Sequence, residues 1–496
     1  MKTLHRWFAD SVDRDPEAVA LELSGDRLTY RELDALAAAI AAVLRGGHRI
    51  GLHANRSLTA YAGYLAIQRL GATVVPMSPA FPPARLDAVV AAAGLDAVLT
   101  DDPRFRSAVP VHLVDDPRRL GPSESPALDA DLEDDAYILF TSGSTGTPKG
   151  VPIRHRHISA FLEHVIDRYE LGPGARVSQT FDLTFDLSMF DLFAAWGSGA
   201  TLVAATRGDL LAPARYAEQA RLTHWFSVPS AVSTARQLGR LKPGSMPTLR
   251  WSLFCGEQLT LQQAQAWQAA ATDSVLENLY GPTELTLACT QYRLPDTVEV
   301  VTPNGTVPIG EPYPGLDVLI VDADGHPGDE GELCVRGTQR FAGYLNPADN
   351  DGRFLHLDAG RATSAGPLTT VDADLWYRTG DLVRRSGTGL VHLGRLDHQV
   401  KVQGYRVELG EIEAALRDIA GVRDVVVLAR TAPGAPTVLH AVYTGVELDD
   451  ALLRETLRGR LPHYMVPRST EHREQLPLNA NGKFDRRKLA ELTAAR

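Results

Sequence analysis

Between about residues 27 and 101 the apolar positions follow two rhythms. RELDALAAAIAAVLRGG, SLTAYAGYLAIQRLG and PPARLDAVVAAAG read as helices, and RIGLHA, ATVVPM and DAVLTD between them read as strands. Such alternation implies right-handed crossovers and a mostly parallel, helix-covered sheet, so the fold class is α/β. A second alternating stretch runs from about 176 to 300, where VSQTF, ATLVAAT, THWFSVP, LRWSLFCG and SVLENLYG each resemble a strand entering a loop. Ligands of open α/β sheets bind at the carboxyl ends of strands, which makes these junctions the place to look for chemistry.

After about residue 300 the texture changes to short Gly-rich strands such as GELCVRGT, which predict an antiparallel β subdomain. The acidic run DADLEDD at 129–135 reads as a solvated lead-in loop, and 355–374 as a surface insertion. The last hundred residues return to an α/β pattern, with a helix from about Glu408 that puts Ile412, Ala415, Leu416 and Ile419 on one face. The strands DVVVLA and VLHAVYTG and the helix DDALLRETLRGRL follow, enough for a small separate domain.

The 496 residues suggest two to four folding units, and 50 Lys+Arg against 61 Asp+Glu leave a net charge of −11, which argues against a nucleic-acid partner. The start has no apolar signal core, and the longest apolar run, AAAIAAVL, falls short of the ~20 residues a bilayer span needs, so no membrane partner is expected. Cys255, Cys289 and Cys334 lie far apart without C-x-x-C spacing and read as reduced thiols of a cytoplasmic protein. His155 and His157 form an H-x-H pair, but no third ligand follows at useful spacing; packing explains them better than a metal.

Tyr137-Ile-Leu-Phe-Thr-Ser-Gly-Ser-Thr-Gly-Thr-Pro-Lys-Gly150 is an apolar strand entering a loop with three glycines, five hydroxyl residues and one lysine. Glycines let backbone N–H groups surround phosphate oxygens, hydroxyls donate further hydrogen bonds, and Lys149 supplies charge. It is not a Walker A loop, because Lys149 is followed by Gly150 rather than by Ser or Thr.

This loop resembles the signature of the adenylate-forming superfamily, which includes nonribosomal peptide adenylation domains, acyl-CoA ligases and firefly-type luciferases. Further motifs follow in the family's order: Asn278-Leu-Tyr-Gly-Pro-Thr-Glu284, Gly331-Glu-Leu, Tyr377-Arg-Thr-Gly-Asp381, Gly394-Arg-Leu-Asp397 to Arg406-Val-Glu408, and Asn481-Gly-Lys483 with Asp485-Arg486. The resemblance implies a large N-terminal domain, 1–396, of αβ-layered sheets plus a β subdomain, and a small mobile C-terminal α+β domain, 397–496, hinged at Asp397. It also implies ATP and Mg²⁺. Thr141, Ser142, Gly143, Ser144, Thr145 and Lys149 would hold the phosphates, and Thr141 and Glu284 the metal. Asn278, Gly281, Pro282 and Thr283 belong to the nucleotide motif, within which Tyr280 would stack on adenine. Asp381 would accept from the ribose hydroxyls, and Arg395 would reach the nucleotide. His392 stands where relatives often carry an aromatic residue. Lys483 would carry the adenylation step, bridging the substrate carboxylate and the nucleotide.

Phe185-Asp-Leu-Ser188 matches the motif of the amino-acid-activating members and places Asp186 against the substrate ammonium, with Asp182 and Asp191 as register alternatives. Asp186 also precedes an apolar helical run and would serve as its N-cap whatever the substrate. The family's pocket positions fall on Leu187, Phe190, Ser227, Leu253, Cys255, Leu279, Leu287 and Ala288, with Gly256 beside them. Mostly apolar walls without a charged residue leave glycine, serine and alanine, and favour alanine, since a substrate hydroxyl needs a partner and only Ser227 is obvious. Phe254-Cys255-Gly256-Glu257 also resembles the D-alanine:carrier-protein ligases, and chirality stays open.

Because the chain stops soon after Lys483, the expected acceptor is a separate carrier protein, through its phosphopantetheine thiol or a carrier-bound amine. Natural-product biosynthesis is the preferred setting over cell-wall alanylation. An acyl- or aryl-CoA ligase, which Asp186 argues against, and a catalytically silent nucleotide-binding scaffold are the competing readings.

Overall fold

A computed structural model describes the chain apart from residues 45–46, 124, 129, 143–147, 296–301, 398, 431–434, 479–483 and 495–496. Gly143, Ser144, Thr145 and Lys483 lie outside the described residues. The chain divides into two compact units. One comprises Met1–Pro79, Val90–Phe140 and Gly150–Leu396, the other Ala80–Val89, Thr141–Lys149 and Asp397–Arg496.

In the first unit, helix Tyr30–Val43 starts where Thr29 accepts from the Glu32 N–H and Glu32 reaches back to the Thr29 N–H, a reciprocal cap. Helix Leu58–Arg69 begins at Ser57, whose hydroxyl accepts from the Ala60 N–H, and is buried from Thr59 to Gln68. Its unbroken apolar character fits a helix covered on every side. Helix Tyr30–Val43 packs on helix Leu58–Arg69, which in turn covers a six-stranded sheet ordered Val111–Leu113, Ala97–Thr100, Arg49–His53, Thr73–Pro76, Asp135–Thr141 and Lys149–Arg154, parallel over its first five strands.

A nine-stranded sheet has the order Glu311–Pro312, Thr290–Arg293, Val275–Tyr280, Trp251–Phe254, His224–Ser227, Arg176–Gln179, Thr201–Ala204, Val19–Leu23 and Asp26–Thr29. Its interior pairs are parallel and its ends antiparallel. Phe254 pairs in register with Asn278, so the loops that begin at Cys255 and Gly281 leave adjacent carboxyl ends. VSQTF predicts a strand through Phe181, whereas the strand ends at Gln179. The Thr180 N–H is taken by the buried Asp191 carboxylate at 2.9 Å instead of continuing the ladder.

The region after 300 forms an antiparallel sheet of Leu316–Val321, Glu330–Gly337, Trp376–Ser386, Phe354–Asp358 and Arg361–Ser364, with Gly389–Arg395 also on Trp376–Ser386. Residues 355–374, expected as a surface insertion, are mostly exposed but are not all irregular loop. Their first half is a hairpin of this sheet, Phe354 and Leu355 are buried, and Leu368 and Val371 pack on the main core.

The second unit has a three-stranded sheet, Val422–Arg430 antiparallel to Val438–Gly445 and the latter parallel to Ser469–His472. Helix Leu409–Arg417 buries Ile412 and Leu416 in a core shared with Val425, Val427 and Tyr443, and Ala415 and Ile419 pack at its edge. A two-stranded ribbon, Gln399–Val402 with Tyr405–Glu408, precedes that helix.

Gly281 shows how closely the turn after Val275–Tyr280 is packed. A Cβ there would lie 2.6 Å from the Ala288 Cα and 2.9 Å from the Leu287 carbonyl oxygen, main-chain atoms that cannot swing aside. Gly281→Ala should destabilise the first unit by about 1–3 kcal/mol, read as a lower urea midpoint; an unchanged midpoint would show that the turn can open.

Candidate active site

Strand register places the polar centre of the first unit. Asp381 on Trp376–Ser386 lies opposite Arg395 on Gly389–Arg395, and Val383 lies opposite His392. Regular alternation would put Arg395 and His392 on opposite faces, but the ladder slips between Leu382 and Val383, and the bulge returns His392 to the face of Asp381. Arg395 Nη1 donates to Asp381 Oδ1 at 2.8 Å and His392 Nε2 meets the same oxygen at 3.1 Å, while the Tyr280 hydroxyl donates to Oδ2 at 2.6 Å. Burial opposes the charge on Asp381, yet the bond from His392, the Arg395 guanidinium and the Tyr280 hydroxyl overcome it and bring the carboxyl down to about 2. Burial, followed by the Asp381 charge, pushes the Tyr280 hydroxyl well up, which keeps it a donor.

Oδ1 of Asp381 thus carries two donors and Oδ2 one. Tyr280 leans against the His392 ring at 5.9 Å between centroids and 41°, tilted rather than stacked. The other ring nitrogen, Nδ1, meets the Gln258 side-chain amide at 2.8 Å. Gln258 was not foreseen; its signal was a polar residue just past the strand-to-loop junction at Cys255-Gly256-Glu257.

The turn after Tyr280 holds two further acidic groups. Thr283 Oγ1 donates to Asp186 Oδ2 at 2.8 Å, which joins the ammonium candidate to the nucleotide motif. Glu284 is fully buried and accepts from the Tyr344 hydroxyl at 2.5 Å, a partner that sequence reading missed. Asn278 donates to the Val307 and Pro308 carbonyls at 3.3 and 2.8 Å and so braces a neighbouring loop. The register alternatives to Asp186 have other tasks. Asp182 accepts from Asn55, Ser78 and the Thr184 main chain and hydroxyl, and Asp191 is buried beneath Thr180, its carboxyl pushed well up by desolvation.

Leu187, Phe190, Leu253, Cys255, Leu279, Leu287 and Ala288 all belong to one buried apolar cluster, with Phe226 edge-on to Phe190 at 4.9 Å. Thr286 and Leu287 both have positive φ, 57° and 78°. This strained backbone is held by the Thr286 hydroxyl on the Gln339 carbonyl at 2.6 Å and by the Gln339 amide on the Ala288 carbonyl at 2.8 Å. Gly256, at φ +89°, leaves its Cβ position to Val228 and Leu187. Ser227 differs from the rest: its hydroxyl accepts from the Trp225 indole at 2.9 Å and donates to the Val228 carbonyl at 3.2 Å. All three cysteines are buried and outside any disulfide, and burial pushes the Cys289 and Cys334 thiols up.

In the second unit, the Ser142 hydroxyl donates to the Arg406 carbonyl at 2.7 Å and accepts from the Glu408 N–H at 3.1 Å. Thr141 ends strand Asp135–Thr141, and Lys149 opens strand Lys149–Arg154. Asp397 accepts from the Gln399 N–H at 3.1 Å. His155 ties down the distant helix that begins at Leu4, whereas His157 caps the start of its own helix. Their Nδ1 atoms accept from the Leu4 and Arg154 N–H groups, and burial lowers both rings, His155 to about 4. Among the described residues, no group of three His, Cys, Asp or Glu is placed to hold a metal, and no helix is long and apolar enough to cross a membrane.

Residues 8–345 match the family model described as AMP-binding enzyme, and residues 411–483 match the AMP-binding enzyme C-terminal domain. Phosphinothricin tripeptide synthetase PhsC of Streptomyces viridochromogenes is 36% identical over 98% of this chain and 45% of its own length. The chain spans less than half the length of the curated relatives it matches first. The Vibrio cholerae adenylation domain AlmE, in complex with glycyl-adenosine-5'-phosphate, superposes with a TM-score of 0.83 at 28% identity, covering 99% of this chain and 98% of that one. The artificially fused adenylation–PCP di-domain NpsA-ThdA from Klebsiella oxytoca has a TM-score of 0.81 at 25% identity, covering 95% and 86%.

Asp381 also sets an acid limit. A carboxyl whose value falls from 3.8 to about 2 on folding contributes stability that is complete above its unfolded value and is lost as pH falls through about 2. The contribution is about 2 kcal/mol. Asp381→Asn removes this titration, so between about pH 5 and about pH 2 it should lose about 2 kcal/mol less urea stability than the parent. Equal losses would show that another group sets the limit.

Proposed function

The chain belongs to the AMP-binding enzyme family, and we propose that it activates a small amino acid, alanine first, as its aminoacyl adenylate and passes it to a carrier protein. The observation that carries this reading is Asp186, a buried carboxylate bonded to Thr283 of the nucleotide motif, on a segment whose next residues line an apolar cluster. A buried carboxylate there suits an ammonium, whose burial without a counter-ion would be costly. The walls bring no charged side chain, and the Ser227 hydroxyl is engaged by Trp225 and Val228, which favours a methyl group over a hydroxymethyl. The glycyl adenylate in AlmE and the carrier domain fused in NpsA-ThdA support a small amino acid and a carrier acceptor.

In the first half-reaction a carboxylate oxygen of the amino acid attacks the α-phosphorus of ATP, and the bond to the leaving pyrophosphate breaks. In the second, a pantetheine thiolate, or a carrier-bound amine, attacks the carbonyl carbon and AMP departs. Both steps depend on positioning and charge neutralisation. Asp381 would take the ribose, Tyr280 the adenine, and Thr141, Ser142, Gly143, Ser144, Thr145 and Lys149 the phosphates. Glu284, an all-oxygen donor in a buried position, and Thr141 suit Mg²⁺, which needs few protein ligands beside phosphates and would offset their charge. Lys483 would bridge the amino-acid carboxylate and the α-phosphate, Arg395 would support the nucleotide, and Asp397 would be the pivot between the half-reactions.

The test is amino-acid-dependent ATP–pyrophosphate exchange over glycine, L- and D-alanine, L-serine, L-proline and β-alanine. A dominant alanine signal is expected; its handedness separates biosynthetic from cell-wall settings, and exchange only with amine-free acids would move the protein to the acyl-ligase branch. Asp186→Ala should lose amino-acid-dependent exchange by about 100-fold or more, since the ammonium then lacks its counter-ion; retained turnover would assign the ammonium to another group. Lys483→Ala should lose exchange by about 100-fold or more while keeping ATP affinity, and normal exchange would overturn its role.

A further inference from the structure

Gln258 lies outside every motif read from the sequence, yet it reaches the centre of the polar site. Its side-chain amide nitrogen is 2.8 Å from His392 Nδ1 and 3.5 Å from the His392 carbonyl oxygen. A carbonyl only accepts, so the amide presents its N–H groups to His392 and Nδ1 is an acceptor. The ring proton then sits on Nε2, aimed at Asp381 Oδ1 at 3.1 Å. Asn304 fixes the same residue from the main-chain side, donating to the His392 carbonyl at 2.9 Å.

His392 and Arg395 together fill Asp381 Oδ1. A carboxylate oxygen has about two lone-pair positions, so Oδ1 has none left, while Oδ2, with the Tyr280 hydroxyl, has one. We propose that Gln258 is a positioning residue for nucleotide binding: by holding the His392 tautomer it keeps Oδ1 saturated and the carboxylate plane fixed, so that Oδ2 is the atom offered to a ribose hydroxyl. The proposal rests on the nucleotide reading of this site. Without Gln258 the imidazole is free to turn or to move its proton to Nδ1. Asp381 then loses one of the two donors on Oδ1, and the ribose must be captured by a carboxylate that has first to be ordered.

The experiment is direct calorimetric titration with Mg-ATP, without amino acid, alongside exchange kinetics, on Gln258→Leu, His392→Phe and the double variant. Gln258→Leu should weaken ATP binding about three- to tenfold, the range for one neutral hydrogen bond, and raise the ATP KM by the same factor, while kcat changes less than about twofold. Because the Gln258 side chain is exposed, the urea midpoint should not move, which separates positioning from a folding defect. His392→Phe should weaken binding at least as much, and the double variant no more than His392→Phe alone, since Gln258 acts through the ring. Additive losses, an unchanged ATP affinity in Gln258→Leu, or a fall in kcat with ATP affinity intact would each overturn the proposal. If the parent binds no ATP, the nucleotide reading itself fails, a result distinct from all of these.

Discussion

A carboxylate shut away from water must be met by donors, and the first unit buries several. Glu277 is fully satisfied: Arg168 takes both oxygens at 2.8 and 3.0 Å, Arg293 adds a bond at 2.8 Å, and the Tyr169 hydroxyl another at 3.2 Å. Such a group ties strands together and has no acceptor capacity left for a ligand. Asp381 differs in kind. It meets three donors unevenly, two on one oxygen and one on the other, so it stays ionised and keeps a lone pair in reserve. Much of the surrounding architecture serves that balance. The bulge that turns His392 inward, the register that sets Arg395 opposite Asp381, and the parallel strand that ends at Tyr280 are three separate ways of bringing a donor to one buried charge.

Local pattern carried much of the fold. The helix and strand rhythm between 27 and 101 and the five strands after 176 depend on runs of a few residues, and those runs are where the elements lie. Family membership was legible for a similar reason, since its motifs are short and contiguous. What could not be read depends on pairing between distant segments. Nothing in GLVHLGR announces that the ladder slips by one residue, and without that slip His392 would face away from Asp381. The hairpin Phe354–Ser364 was hidden because its exposed residues are mostly polar and its turn is Ala-Gly, so burial of Phe354 and Leu355 appears only once Trp376–Ser386 is beside them. Ser227 is a subtler case. Its place at a strand's carboxyl end was clear, but the loss of its hydroxyl to Trp225, two residues earlier, follows from strand geometry that brings positions i and i+2 to one face.

The turn Tyr280 to Glu284 joins these parts. In five residues it sends one hydroxyl to Asp381, another to Asp186 and a carboxylate to Tyr344, while Gly281 packs against the Ala288 main chain. The segment just beyond it, Thr286 and Leu287, is held in left-handed backbone by Gln339. Residues proposed to hold nucleotide, metal and amino acid thus share one short, strained and closely packed piece of chain. A displacement that disturbs one cannot leave the others in place, because backbone packed at van der Waals contact moves as a unit. The same reasoning explains why the core-facing side of this turn is apolar and its other contacts polar. The apolar side chains Leu285, Leu287 and Ala288 are buried in the core and anchor the turn, and that anchorage lets the hydroxyls of Tyr280 and Thr283 keep fixed directions toward charges they must not neutralise.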